Sequence, residues 1–494
     1  MKPPLNRLFL IDGELVKSGS GQVVEILNPA NETLIGMAPL ADATNVNAAI
    51  AAARVAFDRG PWPRMSMSDR ISVLKAFYAA LTMRIEPIKA LLTAEAGSVQ
   101  WLTDLVQYDV PLELVRFAFS QAQQMEPRSL PPEVVPPPFG FGASTLSLGT
   151  IVRAPYGVVV AITPYNFPFF CNIVKIFPAL IMGNTMVLKP SPLTPFMALL
   201  IAEAAHAAGL PKGVLNIINA ETMAGQILTS DPRVDLVSFT GSDMVGAAIM
   251  AQAAPTLKKL VLELGGKSAM IVREDADLEI AASNGIADFT IHTGQGCALS
   301  TRHIVHNSVR AEYVEMLASA AEAMPIGDPA DPTTQLGPLI SAAQRAKVEH
   351  YVKLGHESGA KLITGGKRPA HLDKGYFYEP TIFDGVDNRS RIAQEEIFGP
   401  VCTVIGFDTD EEAIALANDS QFGLAGGVFS KDVGKAYDVA MRMQTGSISI
   451  NGGGGKINAY APFGGFKRSG HGREFGYGWL DEYSQTKSIT FPGG

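Results

Sequence analysis

Gly157-Val-Val-Val-Ala-Ile162-Thr-Pro-Tyr-Asn-Phe-Pro168 opens the stretch that decides the fold, and it runs on through Met182 to Thr185-Met-Val-Leu-Lys189. Val158–Ile162 is an uninterrupted apolar run with three valines, the pattern of a strand buried on both faces. Residues 163–167 are polar and carry a proline, so they read as a loop. Residues 168–182 have helical length and start on a proline, where a missing N–H costs nothing. Thr185–Lys189 is a second apolar strand. Together these pieces make one βαβ unit.

Moving outward, the alternation continues. Residues 195–208 form the next helix, stopped at Gly209-Leu-Pro211. Residues 214–218 and Leu236–Thr240 read as strands, and Gly241-Ser242 opens a helix over Asp243–Ala253. A second alternating block runs from near Leu260 to about Asn451. Its strands include residues 269–272, 303–306, Lys361–Thr364 and Val401–Phe407, and its helices include Leu278–Thr290 and Ala342–Glu357. This is parallel α/β architecture. Two segments break the pattern. Residues 131–142 hold five prolines and read as an extended connector. Residues 452–478 are glycine-dense, but the interleaved Phe463, Phe466 and Phe475 make them an ordered loop over a site. No internal repeat is visible.

The whole chain has 494 residues, 47% of them hydrophobic and 18% charged, which excludes a disordered or collagen-like protein. Forty basic against forty-eight acidic residues give a net charge of −8, which argues against a broad nucleic-acid or membrane surface. Three cysteines, Cys171, Cys297 and Cys402, make a poor disulfide framework and fit a reducing cytoplasm. The apolar run 8–11 ends at Asp12, too short for a signal-peptide core. Residues 154–174 carry no charge, yet Pro155, Pro164, Pro168, Asn166 and Asn172 make them soluble core and not a membrane span.

Several motifs fail on inspection. Gly265-Gly266-Lys267-Ser268 looks like the end of a P-loop, but position 261 is valine where that loop needs glycine. No GxGxxG is present. His303 with His306, and His350 with His356, lack the spacing and partners of a metal site, so no metal is expected. One constellation remains. Cys297 lies in Thr293-Gly-Gln-Gly-Cys297-Ala-Leu-Ser-Thr-Arg302, where small neighbours leave the sulfur accessible. A cysteine in such a chain is commonly a small buried hydrophobe, but a packing cysteine needs no bare backbone around it. Glu263, thirty-four residues upstream, ends an apolar strand, an expensive place for an unpaired carboxylate. It is either a salt-bridge partner of Lys267 or Lys259, or a general base. Asn166 follows a buried strand, where it serves a turn or donates an N–H to a developing oxyanion.

Taken in order, Thr-Pro-Tyr-Asn-Phe-Pro (163–168), Lys-Pro-Ser (189–191), Phe-Thr-Gly-Ser (239–242), Glu-Leu-Gly-Gly-Lys (263–267), Gly-Gln-Gly-Cys (294–297), Gln-Glu-Glu-Ile-Phe-Gly-Pro (394–400) and Pro-Phe-Gly-Gly-Phe-Lys-Arg-Ser-Gly (462–470) resemble the NAD(P)-dependent aldehyde dehydrogenase superfamily over essentially the full length. The resemblance implies an α/β fold in three parts. A variant Rossmann cofactor domain covers 1–125 and 148–257, an α/β catalytic domain 258–475, and a small β oligomerisation extension 126–147 and 476–494. In that extension the C-terminal Ser488-Ile-Thr-Phe491 would pair with the segment after the connector. A homodimer or homotetramer acting on a small aldehyde is implied.

The roles carried over are these. Cys297 looks like the nucleophile, Glu263 the base and Asn166 the oxyanion donor, with Lys175 and Glu474 in support. Lys189 and Glu396 look like ribose contacts, Phe398 lines the nicotinamide side, and Gly241-Ser242 places a helix N-terminus near the pyrophosphate, which suits its free N–H groups. Thr163, Pro164, Tyr165, Ser191, Pro192, Gly225, Leu264 and Gly265 complete the implied cofactor cleft. Phe167, Val174, Ile291, Gly296, Ala298, Gly453 in the glycine run 452–455, and Phe463 line the implied substrate pocket. None of these is basic, so an apolar aromatic or terpenoid-like aldehyde is expected.

Two departures stand out. Tyr165 replaces the usual tryptophan, and Pro192 stands where NAD-preferring relatives carry an acid. NAD is therefore expected as cofactor, with NADP possible. The rival readings are a coenzyme A-acylating dehydrogenase, which often lacks the base, a semialdehyde dehydrogenase, and a non-catalytic protein on the same fold.

Overall fold

A computed structural model describes residues 7–454 and 458–493, so Gly455 of the glycine run lies outside the described residues. The βαβ unit forms as its sequence dictates. Val158–Ile162 and Thr185–Lys189 pair in parallel, with Val160 opposite Val187, and the valines are wholly buried. The helix Pro168–Ile181 between them is apolar on every side, so it is sunk in the core and not laid on the surface. Lys175 on that helix is fully buried as well, and such a charge persists only with a partner. Gly183, at a φ of +90°, turns the chain out of the helix, and the Asn184 side chain ties the turn to Gly157 N–H and to the carbonyl of Tyr483.

Two sheets organise the molecule. In the first, the parallel strands Leu215–Ile217, Thr185–Lys189, Val158–Ile162, Leu236–Thr240 and Lys259–Glu263 lie side by side in that order. Antiparallel strands Phe9–Ile11 and Gly470–His471 flank them. The second sheet has a parallel centre of Thr381–Asp384, Val401–Phe407, Ser300–His306, Ser268–Val272, Ala425–Phe429 and Ser447–Ile450. Each parallel sheet is covered by helices on its faces, as parallel strands require. The fold is α/β.

A third, smaller sheet projects from these. Ser484–Pro492 pairs antiparallel with Thr145–Pro155 over nine residues, and Glu133–Val135 adds to the same strand. The proline-rich connector is therefore partly strand. Its valines, exposed on one element, pair only because residues 145–155 offer a long edge. The uncharged run 154–174 breaks up into a strand end, a strand, a loop and half a helix. Among the described residues, no helix is long and apolar enough to cross a membrane.

Candidate active site

The loops at the carboxyl ends of the first sheet's parallel strands converge where open α/β sheets hold ligands. Asn166 leaves the Val158–Ile162 strand and is buried. Its amide Nδ2 donates to the Gln295 carbonyl at 2.7 Å. An amide nitrogen carries two hydrogens, so one stays free while the other fixes its direction. Gln107, from the π-helical turn Thr103–Asp109, donates to the Asn166 carbonyl at 3.3 Å. Gln295 is in turn held by Ile340 N–H at 2.9 Å. The oxyanion candidate is thus clamped from both sides, by Gln295 of the Gly-Gln-Gly-Cys motif and by Gln107, which the sequence alone did not single out.

Cys297 follows an unusual backbone. His292, Thr293 and Gly294 all have positive φ, at 51°, 57° and 72°. Two consecutive non-glycine residues in that region store strain, as is common where a reactive group is aimed. Thr293 secures the turn by donating to the Gly337 carbonyl at 2.8 Å. Gly266 comes so close that a Cβ there would lie 2.4 Å from the Cys297 carbonyl oxygen. That approach explains the bare backbone opposite the cysteine. Cys297 keeps partial exposure. Burial, Cys171, Glu396 and Glu263 push its thiol up, and its own backbone N–H opposes that rise.

Glu263 is 2% exposed, and neither of its oxygens has a protein partner. The salt-bridge alternative fails. Lys259, at the far end of the strand, pairs with Glu482 at 2.7 Å, and the Lys267 ammonium is buried without a partner. Burial and then Glu474 raise Glu263 well above the usual carboxylate range, while Lys175 and Arg473 pull the other way. Lys175 donates to Glu474 Oε1 at 2.5 Å and to Ser238 Oγ at 3.0 Å, and Ser238 meets the Tyr483 hydroxyl at 3.0 Å. Lys175 and Glu474 are therefore one buried ion pair set beside Glu263. Cys171 feels Glu474, Lys175 and Glu263 in turn, and burial first and Glu474 second push its thiol up to about 12.

On the opposite flank lie the candidate dinucleotide residues. Lys189 is 5% exposed and donates only a 3.3 Å bond to Pro190 O. Gly225 faces its side chain, with a would-be Cβ 3.8 Å from Lys189 Cε. Ser242 caps the helix Asp243–Ala253, accepting from Val245 N–H, and Gly241 N–H donates to the Glu263 carbonyl at 3.0 Å. Glu396 accepts from Gly266 N–H at 3.0 Å and packs so tightly on Gly265 that a Cβ would sit 2.7 Å from its carboxylate. Leu264 N–H donates to Ser469 O. Phe398, at a φ of +60°, meets the Tyr165 ring edge-on at 5.9 Å. Tyr165 OH and Thr240 Oγ1 are buried without partners. Thr163 N–H donates to the Lys189 carbonyl, and Ser191 Oγ accepts from Leu193 N–H; Pro164 and Pro192 are half-buried beside them. Free polar atoms, an unpaired cation and glycine-lined approaches suit a dinucleotide.

A run of aromatic rings starts at His292, five residues before Cys297. Phe167 lies 5.4 Å from His292 and 6.4 Å from Phe170, Phe170 lies 5.5 Å from Phe475, and Phe475 stacks on Phe463 at 5.6 Å. Burial drives the His292 imidazole down to about 4, so it is neutral at pH 7. Val174 is fully buried, whereas Ile291, Gly296 and Ala298 are half-buried around Cys297. Gly453 lies apart from these rings, exposed beyond the Ser447–Ile450 strand.

A family model described as the aldehyde dehydrogenase family matches residues 15–489. The chain belongs to the aldehyde dehydrogenase family. It is 39% identical to a 3-succinoylsemialdehyde-pyridine dehydrogenase from a Pseudomonas species, over 98% of each chain. It is also 39% identical to geranial dehydrogenase from Castellaniella defragrans, again over 98% of each. A crystal structure of a Mycobacterium tuberculosis aldehyde dehydrogenase complexed with NAD+ superposes with a TM-score of 0.92 at 40% identity, covering 99% of this chain and 98% of that one. This aldehyde dehydrogenase is thus an oxidoreductase by family, with its motifs gathered at one cleft.

Proposed function

We propose that the chain oxidises an apolar aldehyde to its carboxylic acid, with NAD as hydride acceptor, through a thioester on Cys297. The observation that carries this reading is Glu263. It offers a buried carboxyl with both oxygens free, beside Cys297, as a hydrolysing enzyme requires and an acyl-transferring one does not.

The steps follow from the side chains. The groups acting on the Cys297 thiol are another thiol and two acids, so its surroundings keep it protonated until a proton acceptor and a nearby positive charge act. Glu263, in its ionised form, is placed to take that proton, and burial, which raises it, makes it a stronger base. When the sulfur attacks the aldehyde carbon, the free Asn166 N–H and the Cys297 backbone N–H face the oxyanion. When bound, NAD would supply a cationic ring and a hydride acceptor, and Lys189, Glu396 and the Ser242-capped helix would hold it. Once Glu263 has passed the thiol proton on to solvent, its carboxylate takes a proton from the water that attacks the thioester, and the acid leaves as the Cys297 thiolate is expelled. Lys175 and Glu474 keep that carboxylate poised.

The substrate reading rests on the aromatic rings that run from His292 through Phe167 and Phe170 to Phe475 and Phe463, and on the absence of a cation among the implied pocket residues, His292 being neutral. Geranial and a pyridine semialdehyde, the substrates in the names of two relatives, mark the alternatives. Profiling kcat/KM over a panel of aldehydes decides between them. Aromatic or terpenoid aldehydes are expected to lead, and a higher value for succinic semialdehyde refutes the apolar reading. The division into a cofactor part, a catalytic part and an oligomerisation extension, with homodimer or homotetramer assembly, belongs to the same proposal. The exposed Val134, Phe139, Phe141, Ile489 and Phe491 on the small sheet and its turn support it.

A further inference from the structure

The strands Thr185–Lys189 and Leu215–Ile217 run parallel, with Leu188 opposite Ile217, so their following loops emerge at the same edge of the sheet. Lys189 ends the first strand with Pro192 on the loop after it, and Glu221 lies on the other loop. Glu221 begins the helix Thr222–Ser230, and its carbonyl accepts from Gly225 N–H at 3.3 Å, one turn on. Gly225 is the residue whose α-carbon faces the Lys189 side chain. The Glu221 carboxylate is exposed, makes no capping bond, and has no ion-pair partner among the described residues. It is nonetheless close enough to favour the charged form of Lys189, which burial lowers to about 8. An unpaired acid and a buried, nearly unpaired cation therefore flank the same cleft from two loops.

We propose that Glu221 is the residue that discriminates between the dinucleotides, supplying from the neighbouring loop the carboxylate that Pro192 cannot. This rests on the reading of Lys189 as the adenosine-ribose contact. With NAD bound, Glu221 accepts from a ribose hydroxyl while Lys189 donates to the other. With NADP, the same carboxylate meets the 2′-phosphate, and like charges at this range repel. Lys189 alone would favour the phosphate. Glu221 reverses the preference.

The test is direct titration of NADH and NADPH by nucleotide fluorescence on the wild type, Glu221→Gln and Lys189→Met, independent of turnover. The exposed, non-capping side chain makes Glu221→Gln neutral for folding. Glu221→Gln is expected to tighten NADPH binding by roughly tenfold and weaken NADH several-fold. Lys189→Met should weaken both nucleotides, NADPH more. If Lys189→Met weakens binding but Glu221→Gln leaves the NADPH-to-NADH ratio unchanged, the role of Glu221 is wrong and the ribose site stands. If Lys189→Met changes neither nucleotide, both are wrong.

Discussion

Replacing Glu474 with glutamine should move the pH dependence of deacylation, and the structure sets the sign. Burial raises Glu263 first, and the Glu474 carboxylate raises it further. Glu474 also holds the Lys175 ammonium at 2.5 Å. Glutamine removes the like charge and leaves Lys175 less neutralised, so both changes favour ionised Glu263. A neighbouring charge typically moves a carboxyl by about one to three pH units. A general base works deprotonated, so the rising limb of the post-burst rate should shift to lower pH by that amount. Lys175→Met removes the cation and should shift the limb to higher pH. Breaking a buried ion pair costs about 3–5 kcal/mol of stability, so both variants are checked by thermal melts. The position of the limb does not depend on how much enzyme is folded. Stopped-flow NADH traces over a pH series supply it. A limb unmoved by either substitution, or moved the same way by both, refutes the electrostatic account of Glu263.

Cys297→Ala should abolish aldehyde oxidation, whereas Cys171→Ala and Cys402→Ala should retain most of it. Only Cys297 follows the left-handed turn 292–294 and the Gln295 carbonyl that Asn166 holds, and Cys402 is wholly buried; wild-type turnover without Cys297 would overturn the mechanism. Pro192→Glu adds a second acid at the ribose edge and should weaken NADP use by roughly tenfold relative to NAD. Equal NADP kinetics before and after that change would show that position 192 does not face the phosphate.

Much of this was legible in the chain. Val158–Ile162, Thr185–Lys189, Asp243–Ala253 and Leu278–Thr290 fold where their hydrophobic period places them, the helix Pro168–Ile181 starts at Pro168, and the helix Pro195–Ala207 stops before Gly209. The three candidate residues, Cys297, Glu263 and Asn166, are legible as motifs. Their convergence is a tertiary fact that no local pattern encodes. His292 and Thr293 adopt left-handed backbone although neither is glycine, so nothing local announces the strained turn before Cys297. Lys267 looked like a partner for Glu263 because it is four residues away. Its ammonium is instead buried without a partner, and burial first and Arg302 second lower it to about 7. Gln107 was invisible because its role depends on the π-helical turn that aims it at Asn166. Glu133–Val135 read as connector because a strand exposed on its own gains its order from the strand it joins.

Single-turnover and steady-state NADH formation by Glu263→Gln tests the central claim most directly. Attack by Cys297 and hydride transfer leave a thioester, and only its hydrolysis demands a base towards water. The variant should still release a burst approaching one NADH per active site, followed by steady-state turnover about 10²–10⁴-fold below the wild type. A slower burst of full amplitude fits the same account, with Glu263 also drawing the proton from Cys297. Near-normal steady-state turnover with no added acyl acceptor would contradict it, and Glu474 would then be the first residue to test as the base.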